Sequence, residues 1–107
     1  MAKHKTHEED CLRVFGFRYK EVHEWLDEYA KKYNVFVYSE YHRKFRHHRK
    51  GVEEVKEKFG YYASQAAKLH IIRDYEMYLL KPVFCGIIRE EDIDKYFDEL
   101  ECYYHKI

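Results

Sequence analysis

The sequence has few of the residues that interrupt regular structure, with one proline and four glycines among 107 residues. Collagen-like repeats, linker-dominated chains and disordered chains need many more of these residues, so those classes are excluded. The chain also has no excess charge of either sign, because 20 lysines and arginines balance 20 aspartates and glutamates. A balanced chain has no overall field that would attract nucleic acid or an anionic membrane.

Long apolar runs and paired cysteines are also missing. No run approaches the roughly 20 apolar residues that a membrane span requires. The first ten residues lack the apolar core of a signal peptide, so we expect a cytoplasmic protein. Cys11, Cys85 and Cys102 form no close pair, which argues against a disulfide framework or a cysteine metal site. A disulfide between Cys85 and Cys102 is still possible if the protein comes from a hyperthermophile, because intracellular disulfides do occur in such organisms.

What the chain does have is aromatic residues and histidine, with 12 tyrosines, 7 phenylalanines and 8 histidines. Phenylalanine and tyrosine bury large areas, which suits a single core in a chain of this length. We therefore expect one helical domain over residues 1–107. Abundant lysine and glutamate would suit a thermophile, although a single proline argues against it.

Helical periodicity dominates the sequence. It predicts helices over about 6–15, 19–33, 39–59, 62–80 and 90–104, with Thr6 and Ser39 as N-caps and Gly16 and Gly60 at C-terminal ends. Residues 34–39 look extended, but one such segment cannot form a sheet. The prediction is an all-α bundle of four to five helices with one short extended connection. Its predicted core includes Val22, Leu26, Phe45, Val52, Val55, Phe59, Ala63, Ala67, Ile71, Ile93, Phe97 and Leu100.

Two HxxxD pairs place polar side chains where the core is expected. His23 and Asp27 lie one helical turn apart, and so do His70 and Asp74, so each pair shares a helix face. A buried carboxylate is costly unless a cation, a hydrogen-bond donor or a metal accompanies it. The simpler interpretation of each pair is a hydrogen bond from the histidine to the aspartate.

Further histidines in the third predicted helix favour a metal site. His48 is predicted on the core side of that helix, and His42 lies three residues before Phe45. Imidazole nitrogens with carboxylate oxygens suit Zn²⁺, Fe²⁺, Mn²⁺, Co²⁺ or Ni²⁺. Cys11, near His7, could add a ligand, but a buried hydrophobic role is more typical. The predicted ligands are His23, Asp27, His42, His48, His70 and Asp74.

The segment HRKFRHHRK, residues 42–50, contains five basic residues and no acid. On a continuous helix, Arg43 and His47 would share one face, and Arg46 and Lys50 would share the next. Arg43 and Arg46 could then bind a phosphate group of a small ligand or nucleic acid. Equally, this segment could be a solvated face paired with the acidic last helix. Gly51 could allow a close helix approach, leave space beside the histidines or mark a kink.

The order of these motifs resembles an uncharacterised family of small bacterial, archaeal and phage proteins, a domain of unknown function. The similarity covers about residues 7–74 and, more loosely, the segment after Pro82. It is carried by His7, Phe15-Gly16, VHEWLDE at 22–28, HRKFRHHRKG at 42–51, Phe59-Gly60 and LHIIRD at 69–74. The resemblance implies that His7, His23, His42, His47, His48, His70 and Asp74 belong to a shared pattern. It implies no activity.

This chain departs from that family in two places. Its connection NVFVYSEY before His42 is longer, and Phe17 stands where family members have a second glycine after Phe-Gly. The second difference affects the turn after the first helix and leaves the histidines and aspartates unchanged.

The first functional hypothesis is a metal-dependent phosphoester hydrolase. The metal would activate water, an aspartate outside the coordination shell such as Asp27 would act as general base, and Arg43 or Arg46 would neutralise phosphate. The alternative is a non-catalytic module with a structural metal site or a polar His/Asp network, which binds a protein or nucleic acid through residues 42–50. A redox di-metal bundle is disfavoured because the chain has no ExxH motif. The tyrosine-rich surface would also suit a homodimer.

Overall fold

The computed structural model describes residues 4–28, 46–79, 83–84 and 88–105, and every regular element in these ranges is helical. The five α-helices are α1 (His4–Phe15), α2 (Lys20–Leu26), α3 (Arg49–Phe59), α4 (Tyr61–Tyr75) and α5 (Ile93–His105). Short 3-10 helices occupy Glu76–Leu79 and Glu90–Asp92. The all-α prediction is confirmed. The predicted extended connection at 34–39 lies outside the described residues.

α4 is the central helix of the bundle. It contacts α1, α2, α3 and α5, and most of its residues are buried. Three small residues, Ala63, Ala66 and Ala67, are 3% exposed or less, so neighbouring helices can pack closely against α4 from several sides. A helix surrounded in this way buries polar side chains as well as apolar ones. His70 and Asp74 are two such side chains.

Glycine ends two of the helices as predicted. Gly16 has a φ of +74°, and its N–H donates to the carbonyl of Leu12 at 2.9 Å, which closes α1. Gly60 has a φ of +102° and separates α3 from α4. Positive φ is strained for residues with a side chain, so glycine suits both positions. Thr6, the predicted N-cap, instead lies in the first turn of α1, which begins at His4.

Two predicted helices are shorter in the structure. The second ends at Leu26, and Asp27 follows it in a turn conformation, so the prediction of one helix through residue 27 is wrong. The third begins at Arg49 and not at Ser39, because Arg46 has a φ of +75° and His48 is extended. A left-handed residue cannot continue a right-handed helix. Residues 29–45 lie outside the described part of the chain.

The apolar core follows the predicted stripes with one exception. Val22, Leu26, Val52, Val55, Ala63, Ala67, Ile71, Ile93, Phe97 and Leu100 are all buried. Phe59 was predicted in the core but is 37% exposed, because it is the last residue of α3. Phe45 lies outside the described residues. Within those residues, no helix combines the length and apolar content that crossing a membrane requires.

Candidate metal centre

Four buried side chains from three parts of the fold converge on one point. They are Asp27, His47, His70 and Asp74, and each offers a ligand atom within 4.8 Å of the others. His47 Nε2 lies 3.1 Å from Asp27 Oδ1 and 3.4 Å from Asp74 Oδ2. His70 Nε2 lies 3.3 Å and 3.4 Å from the same two oxygens, and 3.3 Å from His47 Nε2. We call these four residues the tetrad.

The spacing of the tetrad atoms fits a tetrahedral metal ion. Nitrogen and oxygen ligands bind Zn²⁺ at about 2.0–2.1 Å, so the corners of a regular tetrahedron around it are about 3.3–3.4 Å apart. Five of the six separations between these atoms run from 3.1 to 3.4 Å, and all four residues offer ligand atoms within 4.8 Å of one another. The side chains of His47, His70 and Asp74 are fully buried, and that of Asp27 is 6% exposed. The tetrad could therefore hold a divalent ion out of contact with bulk water.

Each tetrad member is placed by local structure. His70 and Asp74 are one turn apart on α4, so they share the face that points at the N-terminal helices. Asp27 is the residue that closes α2, and its backbone N–H donates to the carbonyl of His23 at 3.1 Å. His47 lies in the non-helical segment 46–48 that precedes α3.

Arg46 and Gly51 hold the segment that carries His47. The Arg46 guanidinium lies 3.8 Å from the centre of the Trp25 ring and donates to the Trp25 carbonyl at 2.8 Å and to Glu28 Oε2 at 2.7 Å. A Cβ on Gly51 would lie 2.6 Å from the carbonyl carbon of Arg46. Gly51 therefore leaves room for the backbone of the preceding non-helical segment, whereas the predicted close approach was between helices.

Groups of opposite charge face each other within the tetrad. Burial disfavours a charge on His70, but the carboxylates of Asp27 and Asp74 outweigh burial and raise its pKa to about 10. Burial also opposes charge on His47, and hydrogen bonds to the same aspartates leave its pKa above the ordinary value. For Asp27, burial is outweighed by His70, His4 and His47, so its pKa lies well below the usual range. Positive charge on the imidazole side of the tetrad, whether from protons or from a bound cation, is therefore stabilised by the two carboxylates.

His23 lies behind the tetrad and orients one of its members. Its Nε2–H donates to the carbonyl of Arg18 at 2.9 Å, since a carbonyl can only accept. Burial and the neighbouring His70 lower the pKa of His23 to about 3, so the ring is neutral and its Nδ1 is an acceptor. His70 Nδ1 lies 3.0 Å away and must be the donor. His70 Nε2 is thereby directed into the tetrad, an arrangement typical of metal-bound histidines.

Two histidines of α1 lie on the other side of the tetrad. The His7 ring stacks on His70, with centroids 3.5 Å apart and planes 15° apart, and its Nε2 lies 3.1 Å from Asp74 Oδ1. Burial and His70 lower the pKa of His7 to about 4, so this ring is neutral. His4 Nε2 lies 2.9 Å from Asp27 Oδ2, and its side chain is 43% exposed.

The structure brings some of the predicted site residues together and separates others. Asp27, His70 and Asp74 belong to the tetrad, whereas His23 contacts it through His70. His48 lies outside the tetrad: its Nδ1 accepts the N–H of Gly51 at 3.2 Å and caps α3. His42 and Arg43 lie outside the described residues.

The expected helical faces of the basic segment are wrong over residues 46–48, since that stretch is not helical. Arg46 packs on Trp25, and Arg49 donates to Asp98 of the acidic last helix at 2.5 Å. Cys11 is fully buried in the apolar core.

His47 is the tetrad member that sequence reasoning did not select. A continuous helix would have turned His48 toward the core and His47 away from it. The left-handed Arg46 reverses that assignment, because it turns the backbone before α3 begins. The one feature of the sequence that pointed to His47 was its place in the family motif at residues 42–51. That motif includes His47 and His48 alike and does not distinguish them.

Comparison with known proteins gives no match for this chain. No family model, curated protein or solved structure matches the chain. The resemblance to a family of unknown function stays a prediction.

Proposed function

We propose that this chain is a non-catalytic helical module in which the tetrad binds a divalent transition metal ion, Zn²⁺ being the best fit. The observation that carries this proposal is the set of four buried ligand atoms with near-tetrahedral separations, supplied by the residue after α2, the segment 46–48 and α4. An ion there would join three parts of the chain that are distant in sequence. Its main effect would be on folding stability.

The completeness of the ligand set supports a structural role. Structural zinc sites have four protein ligands, whereas catalytic sites have three and leave a position for water or substrate. Asp27, His47, His70 and Asp74 already supply four atoms, and none of their side chains is more than 6% exposed. Arg46 also supports this role. Its guanidinium donates to the Trp25 carbonyl and to Glu28, so it is held in the fold and does not point at a substrate position beside the tetrad.

A metal-dependent phosphoester hydrolase is the second candidate, and one observation favours it. Asp27 Oδ2 faces His4, which is 43% exposed, so this edge of the tetrad lies near solvent. If Asp27 left the coordination shell, it could act as general base on a metal-bound water. Arg43 and Arg46 would then be candidates for phosphate contact, as would other residues of the 42–50 segment.

The first experiment measures metal content and stability in protein purified without a histidine tag. We expect at least one equivalent of transition metal per chain by elemental analysis. An ion present at about 1,000 times its dissociation constant stabilises a fold by about 4 kcal/mol, so chelation should lower the melting temperature by about 15 °C. His70→Ala should remove the tetrad ion. His48→Asn, which keeps a capping side chain, should retain metal and serves as the matched control.

The outcomes separate the hypotheses. A protein that never contains metal, even after incubation with Zn²⁺, Fe²⁺, Mn²⁺, Co²⁺ or Ni²⁺, would contradict the metal proposal and leave a hydrogen-bonded His/Asp network. Cleavage of a chromogenic phosphodiester that is lost on chelation, with little change in melting temperature, would favour the hydrolase.

A further inference from the structure

We propose that a second divalent cation binds on the α1 side of the tetrad, held by His4 and His7 with the outer oxygens of Asp27 and Asp74. This inference rests on the proposed tetrad ion, because both aspartates would bridge the two ions. The ligands are two imidazoles and two carboxylates, which suits Zn²⁺, Mn²⁺ or Fe²⁺. The result would be a carboxylate-bridged pair of ions.

The first support is the direction of the aspartate oxygens. Asp27 turns Oδ1 toward His47 and His70, and Asp74 turns Oδ2 toward the same two rings. The other oxygen of each carboxylate faces α1: Asp27 Oδ2 lies 2.9 Å from His4 Nε2, and Asp74 Oδ1 lies 3.1 Å from His7 Nε2. Each of these contacts joins one histidine to one aspartate at a separation found between two ligands of the same ion.

The second support is the stacking of His7 on His70. The two rings are 3.5 Å apart and within 15° of parallel, and their Nε2 atoms face the two oxygens of one carboxylate. Ions placed in the ring planes on these two nitrogens would be separated by about the stacking distance. Paired metal ions in enzymes are about 3.5–4 Å apart, which matches this spacing.

The third support is the state of His7. Its side chain is fully buried, yet neither ring nitrogen has a hydrogen-bond partner among the described residues. Its Nε2 lies 3.1 Å from Asp74 Oδ1, and this ion-pair contact leaves Nδ1 facing no polar partner among the described residues. Buried polar groups are rarely left unsatisfied, so each such group calls for an explanation. A cation on Nε2 supplies one.

His4 makes the second proposed ion site more accessible to solvent than the tetrad. His4 and His7 are three residues apart, so they share a face of α1. His7 is buried, whereas His4 is 43% exposed. The outer ion would therefore lie closer to solvent and exchange faster than the tetrad ion.

The test is the metal stoichiometry of the full chain, loaded with Mn²⁺ or Zn²⁺ and separated from unbound ion. We expect two ions per chain for the wild type and one for His7→Phe, because phenylalanine can stack on His70 but cannot bind metal. His48→Asn should keep both ions. The Mn²⁺-loaded wild type should show the electron paramagnetic resonance spectrum of an exchange-coupled pair.

The count of ions distinguishes the two proposals. One ion in the saturated wild type, with a mononuclear Mn²⁺ spectrum, overturns the second position and leaves the tetrad ion intact. No ion overturns both. If His7→Phe fails to fold, the wild-type stoichiometry and spectrum still decide the question.

Discussion

His23 connects a backbone carbonyl to a candidate metal ligand. It donates to Arg18 through Nε2 and accepts from His70 through Nδ1, so the hydrogen on His70 Nδ1 is held in place. The HxxxD spacing of His23 and Asp27 predicted that both residues bind the metal. Such spacing places two side chains on one face but does not show what each ring nitrogen contacts. In the structure, His23 Nδ1 contacts His70 Nδ1, the ring nitrogen of His70 that faces away from the tetrad.

Replacing His23 should therefore weaken metal binding without removing a ligand. We expect His23→Leu to raise the dissociation constant of the tetrad ion about 10- to 100-fold, as is typical when the partner of a metal-bound histidine is lost. His23→Gln should have a smaller effect, because its amide can both donate and accept. Competition with a chromophoric chelator measures the constants. Equal metal affinity in all three proteins would contradict the orienting role.

The segment 46–48 shows how a short non-helical element can decide a site. Arg46 is left-handed, packs on Trp25 and is followed by His47 in the tetrad and His48 as the cap of α3. Three successive residues thus have three different roles. Gly51, in the first turn of α3, makes room for their backbone.

Gly51→Ala should be destabilising, although alanine normally favours a helix by about 1 kcal/mol. The added methyl group would meet the backbone of Arg46, which cannot move without displacing His47. We expect a loss of about 1–3 kcal/mol in urea unfolding, as is usual for overpacking, together with weaker metal binding. Glu54→Ala, at an exposed position of the same helix, is the control. A stabilised Gly51→Ala protein would show that segment 46–48 relaxes freely.

The sequence predicted helix type and core better than it predicted helix ends. Apolar spacing located the cores of α3, α4 and α5, because burial of one face determines which residues recur at helical intervals. The start of α3 depends on the stacking of Arg46 on Trp25, a contact between residues 21 positions apart. Local periodicity contains no information on such a contact. For the same reason, His48 was selected as a ligand and His47 was not.

At the scale of the whole molecule, charged side chains form local pairs that join neighbouring helices. Arg49 of α3 pairs with Asp98 of α5, and Lys68 of α4 pairs with Asp94 of α5. Asp10 of α1 is buried and accepts two hydrogen bonds from Arg73 of α4, at 2.8 and 2.9 Å. Exposed pairs contribute little to stability, so we expect the buried Asp10–Arg73 contact to matter more than the two pairs on α5.

Cys11 and Cys102, the two free cysteines of the described residues, should report whether the fold opens as one cooperative unit. Cys11 is buried, and burial together with Asp10 and Glu8 raises its pKa to about 12, whereas Cys102 is exposed. We expect iodoacetamide at pH 8 to modify Cys102 readily and Cys11 about 1,000-fold more slowly, since Cys11 reacts only from an unfolded state. Peptide mass spectrometry resolves the two sites.

Removing the metal should accelerate the reaction of Cys11 and leave the rate at Cys102 unchanged, so that Cys102 serves as the internal control. Equal acceleration at both cysteines would indicate a chemical effect of the chelator. No change at Cys11 would show that the apolar core holds without the ion.

The stacking of Arg46 on Trp25 has a practical consequence. Trp25 is the one tryptophan in the chain, and the guanidinium lies 3.8 Å from the centre of its ring. The residue after Arg46 is His47, so a shift of this backbone changes the surroundings of the indole as it changes the tetrad. The protein thus contains its own fluorophore beside the segment that carries a ligand. We expect that adding Zn²⁺ to the metal-free protein would change its intrinsic emission, which can be followed in unlabelled protein and in real time.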